Sequence, residues 1–551
     1  MKKRWICTLL GLSLLLQGCS LELQTSREDD VAIQKQNELA SHSPYEPYGE
    51  LIEYKLAKLT GLNNMPSGHT YENNAVTRYL KEKLNIQNIN IIEAKDQEYE
   101  NSIDMYISSK DLPDIMIVQD YDDLQYLVEN DMIEDLTTAY KECTTQRIKD
   151  IYESYGDTLM DLVTFDDKIM ALPETNISNG PNLIWLRKDW MDKLGLQEPK
   201  TLSDVEHIVK EFITKNPGQN EGQTTGLVLS TDIVGESAYS SEYLLDPIFA
   251  YYGAYPKQWY KDKNNNLVYG SITKQAKQAL EHIHELYEEG IIDKDFILRT
   301  TNNIVDEIVE GRCGSFFGPW WASNNPLVDA LKQDENTSWK CYLLPTEENG
   351  ETIYYSQAPS TKYIVVRKGY EYPEIIFKMI SVQFDYLRYT DTSANEINNY
   401  ERNNVDPTSR PLSINVDYAN ALIQSHQNIL DVIQSKKTID EVPILDGAYA
   451  KACLDYLDTQ TNSTAEDWAA YASRIEAPSL FNTNNVIEKR YLFYGKTKTM
   501  NKTWWKLKQM ENEAYIEFIM GERDLDEFDD FVKEWKSQGG QDIIQEINTQ
   551  V

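Results

Sequence analysis

The sequence predicts an α/β fold with parallel sheets, divided into at least two domains and ending in a helix-rich part. Three observations carry this. Helical and strand periodicities alternate along the chain, and some strands are apolar at every residue, as parallel strands covered on both faces require. The chain is 551 residues long, more than one hydrophobic core usually covers.

The elements follow in order. ENNAVTRYLKEKL (72–84) places Val76, Leu80 and Leu84 on one helical face, and NINIIEA then reads as a strand. A helix over 98–108 precedes the apolar strand Ile115–Val118, and a helix around 122–129 follows it. KIMALPE and NLIWLRKD read as strands, and 203–214 and 274–289 as helices. Beyond about Tyr370 the chain turns mainly helical, with YPEIIFKMISVQFDYL and DEFDDFVKEWKSQ the clearest amphipathic stretches. No internal repeat or low-complexity tract appears.

Lys2, Lys3 and Arg4 precede an apolar run from Leu9 to Leu16, the order of an export signal. That run is far short of the roughly twenty residues that span a bilayer. Leu16-Gln17-Gly18-Cys19 resembles a bacterial lipobox, so residues 1–18 are expected to be a signal peptide and Cys19 the lipidated residue. Residues 19–48 have no aromatic before Tyr45 and read as a flexible tether.

The formal net charge of −36 falls to −39 when the three N-terminal cations leave with the signal. That field disfavours nucleic acid and makes a strongly anionic polysaccharide the poorer ligand, although local arginines can overcome it. Without Cys7 and Cys19, Cys143, Cys313, Cys341 and Cys453 remain, with no metal-binding spacing. Cys313 and Cys341 are the nearest pair; a disulfide and buried free thiols are both open.

The most specific segment is LIWLRKDWMDKLGLQEPKTLSD (183–204). It is joined in order by SKDLPDI, FAYYGAYPKQWY, ELYEEGIIDKDF, GRCGSFFGPWWAS and IMGERDLDEFDDFVKEWKSQGG. Together they resemble the extracellular solute-binding lipoproteins of carbohydrate ABC importers, family 1 type, similar to the large oligosaccharide- and alginate-binding proteins. The resemblance implies a hinged, two-lobed type II periplasmic-binding-protein fold with ligand held in the cleft. The N-terminal lobe is expected from 49–172 and 315–358, and the C-terminal lobe from 173–314 and 359–551.

The function this implies is a monomeric, lipid-anchored binder on the extracellular face of the bacterial cytoplasmic membrane. It captures an oligosaccharide and delivers it to an ABC permease, without a cofactor and without catalysis. A secreted glycoside hydrolase and a glycan-binding adhesin are the alternatives. G-x-S-x-G, H-E-x-x-H and P-loop motifs are all missing from the sequence.

A pyranose presents a face of C–H groups that stacks on aromatic rings. The resemblance places such a ring at Trp320, after a Gly-containing strand and before the polar Ser323-Asn324-Asn325; Trp321 is open between ligand and core. Tyr252 stands where similar proteins carry an aromatic before Gly-Ala and is the second candidate platform, with Tyr251 read as core. Trp185, Trp190 and Trp259 read as packing, and Arg187-Lys188-Asp189 as a salt-bridged turn.

Hydroxyl-reading partners are sought at strand ends: Glu174, Asn176, Asp120, Asn74 and Gln357. Each reads equally well as a helix cap or turn residue. Similar proteins often hold calcium in the loop equivalent to 216–226, but Asn216, Gly218, Asn220 and Gly222 leave Glu221 the one carboxylate there, so no metal is expected. DKNNN (262–266) reads as a hairpin turn.

Overall fold

The computed structural model of the protein describes residues 30–549 apart from 62, 178–179, 220–222, 236–241, 263, 347–349, 356–357, 403–404, 459–462, 490–491, 494 and 496. The signal peptide, Cys19 and Gln357 therefore lie outside the described residues. The chain forms two compact units: the first runs to Asn176 and resumes at Pro359–Ala419, and the second comprises Ile177–Ala358 and Asn420–Val551.

The first unit is built on a five-stranded sheet in the order Ile86–Ala94, Ile52–Leu59, Ile115–Val118, Tyr363–Val366, Leu172–Pro173. The first three are parallel and the last two join antiparallel. Ile115–Val118 is buried at every residue, as its unbroken apolar run predicts. The Tyr99 hydroxyl, on the helix Asp96–Ser109, donates to the Ile117 carbonyl (2.9 Å) and accepts from the Ile117 N–H (3.1 Å), fixing that helix to the central strand.

Two buried lysines bind backbone in this unit. Lys58 donates to the carbonyls of Leu59 (2.7 Å) and Arg410 (2.9 Å) and to the Ser413 hydroxyl. Lys378, within the wholly buried helix Ile375–Ser381, donates to the carbonyls of Ala40 (2.7 Å), Ser43 (2.5 Å) and Glu46 (2.9 Å). Residues 30–40 are helical, Tyr48 is buried, and its hydroxyl donates to Glu374 at 2.7 Å. The predicted tether is thus corrected from residue 30 onward, where chain carbonyls saturate a buried ammonium.

The second unit holds a three-stranded antiparallel sheet, with Leu183–Arg187 between Ser315–Gly318 and Trp339–Tyr342. The expected lobe boundaries are corrected here. Residues 315–358 belong with the second unit because Ser315–Gly318 pairs with Leu183–Arg187 (Phe316 opposite Trp185). Residues 359–419 belong with the first because Tyr363–Val366 pairs with Ile115–Val118.

Around the second sheet pack the helices Leu202–Lys215 and Lys274–Glu288, close to their predicted spans, and the C-terminal helices Met500–Met520, Phe528–Trp535 and Gln541–Asn548. A helical group, Ala421–Ile433, Ile444–Leu457 and Ala465–Tyr471, forms its own small core around Ile429, Ala450 and Cys453. The DKNNN hairpin joins Trp259–Lys261 to Leu267–Tyr269, with the Asp262 carboxylate accepting from the N–H groups of Asn264 (2.8 Å) and Asn266 (2.9 Å). Cys143, Cys313, Cys341 and Cys453 are buried free thiols. Among the described residues no helix is long and apolar enough to cross a membrane.

Candidate functional site

The strand Ser315–Gly318 delivers Trp320 through a tight turn. The Ala322 N–H donates to the Pro319 carbonyl (3.1 Å), and the same carbonyl accepts from the Trp185 indole (3.1 Å). The Ser323 hydroxyl donates to the Ala469 carbonyl (3.0 Å), tying the turn to the helix Ala465–Tyr471. Trp320 is 8% exposed and packs in a cluster with Trp185, Phe316, Leu327 and Trp468, while Trp321 is half-buried at its edge. The polar residues after Trp320 suggest an open loop; in the structure the ring is largely covered, because the helical group closes over the turn.

Part of that cover is cationic. The Arg474 guanidinium lies 4.8 Å from the Trp320 ring centroid and 4.1 Å from that of Tyr449, on the helix Ile444–Leu457. Planar guanidinium stacks well on aromatic faces, and a ring on either side holds it in one orientation. Neither Arg474 nor Tyr449 carries a sequence signal, since ASRIEAPS has no motif and its partner rings are distant in the chain.

Tyr252 ends the short helix Asp246–Tyr251. It is half-buried against the core of the second unit, with ring centroids 5.5 Å from Tyr251 and 5.7 Å from His282. Tyr251 is 44% exposed, so the expected order of the pair is reversed: Tyr252 is the packed ring and Tyr251 the open one. Tyr252 and Trp320 pack in different clusters of the second unit. A third aromatic group, missed in the sequence, joins Tyr255, Tyr260 and Tyr355, with centroids 4.7–5.8 Å apart.

Glu174 and Asn176 stand in the first unit, where its three exit segments are laced together. The Glu174 N–H donates to Lys362, that of Thr175 to Asn415 and that of Asn176 to Pro359, all at 2.8–2.9 Å. The Glu174 carboxylate is 6% exposed; it accepts from the Lys362 ammonium (3.1 Å) and the Asn415 N–H (3.2 Å). Burial raises its carboxyl above the ordinary range, against the opposing pull of Lys362.

Asp120 is half-buried and caps the helix Tyr121–Glu129 by accepting from the Asp122 N–H (3.0 Å). Asn74 is corrected from ligand contact to structural cap. It is 0% exposed, its side-chain oxygen accepts from the N–H groups of Val76 and Thr77, and its amide donates to the carbonyls of Thr70 and Ser409. Trp185, Trp190 and Trp259 are buried. Arg187 pairs bidentately with Asp189 at 2.8 and 2.7 Å, which also accepts from the Ser338 N–H, so this triplet is a structural turn. Among the described residues no group of three His, Cys, Asp or Glu could hold a metal ion.

Two α/β units linked by three chain passages make up the two-lobed fold of the periplasmic binding proteins. The chain belongs to the bacterial extracellular solute-binding protein family, whose model matches residues 63–383. It is 21% identical over 478 residues to the polygalacturonan/rhamnogalacturonan-binding protein YtcQ of Bacillus subtilis (strain 168), covering 84% of this chain and 86% of that one. Lipoprotein LipO of the same strain is 22% identical over 371 residues, 66% of this chain and 67% of that one. In fold, the chain is similar to the Streptococcus pneumoniae substrate-binding protein FusA solved with kestose. The TM-score is 0.57 at 16% identity, over 90% of this chain and 97% of that one.

Proposed function

We propose that this protein captures an oligosaccharide outside the cell and hands it to an ABC permease. It is held at the outer face of the cytoplasmic membrane by a lipid on Cys19 and acts as a monomer that alters no bond in its ligand. The observation that carries this reading is the family match over residues 63–383, which spans the segments of Trp320, Tyr252, Asp120, Glu174 and Asn176. YtcQ, named for binding polygalacturonan, and FusA, solved with kestose, support a carbohydrate ligand; LipO, named a lipoprotein, supports the anchor.

In this reading Trp321, with the small exposed edge of Trp320, provides the stacking surface, and the open ring of the Tyr251–Tyr252 pair is a separate platform. Asn176, Asp120 and Gln357 are the polar groups offered to hydroxyls, while the buried Glu174 holds Lys362 and Asn415 together behind them. Trp321→Ala tests the surface with less damage than removal of the covered Trp320, and is expected to weaken binding by about 1–3 kcal/mol.

A thermal-shift screen against neutral and acidic oligosaccharides tests the function, because a ligand that binds only the folded state raises Tm by linkage. At least one oligosaccharide is expected to raise Tm and to remain intact on prolonged incubation. No shift across the library retires carbohydrate capture, and release of shorter sugars retires the view that no bond is altered.

A further inference from the structure

The helix Met500–Met520 carries its charges against its own dipole. Lys502, Lys506 and Lys508 stand in its first half and Glu511, Glu513 and Glu517 in its second, with no acidic residue in the first turn. A helix dipole favours the reverse, anions near the N-terminus and cations near the C-terminus, so helix stability does not account for the lysines. They belong to a longer run: from Lys489 to Gln509 the sequence holds seven cations and no carboxylate, in a chain whose net charge is −36. Lys498, Lys502 and Lys506 are exposed. Lys506 donates to the Gln538 side chain (2.9 Å), and Glu546, which accepts from the Thr499 N–H (3.0 Å), bounds the group at one edge.

Trp505 stands among these lysines, three residues from Lys502 and from Lys508, a spacing that puts all three on one side of the helix. Its side chain is 66% exposed, whereas every other tryptophan among the described residues is buried or half-buried. The neighbouring Trp504 packs against Trp259, Tyr269 and Trp535, with centroids 5.4–6.3 Å apart. One indole thus fixes the helix to the core of the second unit and the next is shown to solvent.

We infer that the face carrying Lys498, Lys502, Trp505, Lys506 and Lys508 docks on the headgroups of an anionic phospholipid bilayer. An indole, apolar in body and polar at its N–H edge, settles at headgroup depth, and lysine stems follow it while their ammonium groups meet phosphate. The net charge repels such a surface at long range, but physiological salt screens that field beyond about 8 Å, so the side of the second unit turned to the bilayer is decided by this local excess of cations. The inference goes beyond oligosaccharide capture and takes from that reading only the place of work, the outer face of the membrane.

Sedimentation with vesicles tests it, using the mature chain from Cys19 with Cys19→Ser, which carries neither signal nor lipid. The protein is expected to sediment with vesicles of phosphatidylglycerol and phosphatidylcholine in equal parts, not with phosphatidylcholine alone, and to be released by about 0.5 M salt. Lys502→Gln and Lys506→Gln are each expected to weaken binding roughly 5-fold, and Trp505→Ala about 10-fold. Because these side chains are exposed, the variants are expected to keep the wild-type Tm. Lipid brominated in its acyl chains is expected to quench part of the wild-type fluorescence, and that part is expected to vanish in Trp505→Phe, which still binds.

No sedimentation with the anionic vesicles at low salt, equal sedimentation with phosphatidylcholine alone, or wild-type binding by the folded double variant Lys502→Gln/Lys506→Gln overturns the assignment, as does bound protein whose fluorescence brominated lipid leaves untouched. Failure on vesicles beside a sugar-induced rise in Tm leaves oligosaccharide capture standing; vesicle binding with no response to any sugar leaves the docking face standing.

Discussion

Lys58 is a buried ammonium bonded to two carbonyls and a hydroxyl, with no carboxylate pairing to it among the described residues. Burial pushes its pKa down to about 7, against the opposing effect of Glu93 and Asp406. Above pH 7 the folded chain releases this proton while the unfolded chain keeps it up to about pH 10.4, so this residue's contribution to stability rises with pH across that window. Relative to Lys58→Met, the wild type is therefore expected to gain up to about 1.4 kcal/mol per pH unit there, read from urea melts of both proteins. Asn74→Ala is expected to destabilise the first unit by about 2 kcal/mol, the upper range for a helix cap, because its amide also holds Ser409. A smaller loss in urea melts would mean that water replaces those bonds. Neither role was legible in the sequence: Asn74 reads equally as cap or sugar contact until Ser409, 335 residues away, is seen to accept from it.

Helices with a strong apolar face were legible to within a residue or two, as with Lys274–Glu288. KIMALPE, read as one strand, divides into Lys168–Ile169, in a small hairpin, and Leu172–Pro173, on the edge of the sheet. The helix over 30–40 was missed because most of its residues are exposed and its fixing group, Lys378, is remote. Lys378→Met is expected to speed hydrogen exchange across 30–48 and to cost about 2–3 kcal/mol, while Ile115–Val118 keeps its protection. Unchanged exchange at 30–48 would show that Tyr48 and Glu374 hold the segment unaided. At the C-terminal end, Trp535 is 0% exposed and stacks on Tyr269 at 5.1 Å. Trp535→Ala is expected to cost about 3–5 kcal/mol in thermal or urea unfolding.

Across the whole molecule, the α/β class was legible from periodicity and the assignment of strands to units was not. SFFG and YIVV are both short apolar strands, and nothing local says which sheet each completes; only the pairings Phe316 with Trp185 and Ile364 with Ile117 decide it. The candidate site shows the same limit, for Trp320 is visible in GPWWAS while Arg474 and Tyr449 reach it from a distant helical group. At the other end of the chain, the three carbonyls gathered on Lys378 have a mechanical meaning. If the N-terminus is tethered to a surface, tension entering at residue 30 runs along the helix 30–40 to a cation rooted in the wholly buried helix Ile375–Ser381. The load is then borne by the buried core of the first unit, and a tug that would peel away an undocked leader meets the resistance of that core.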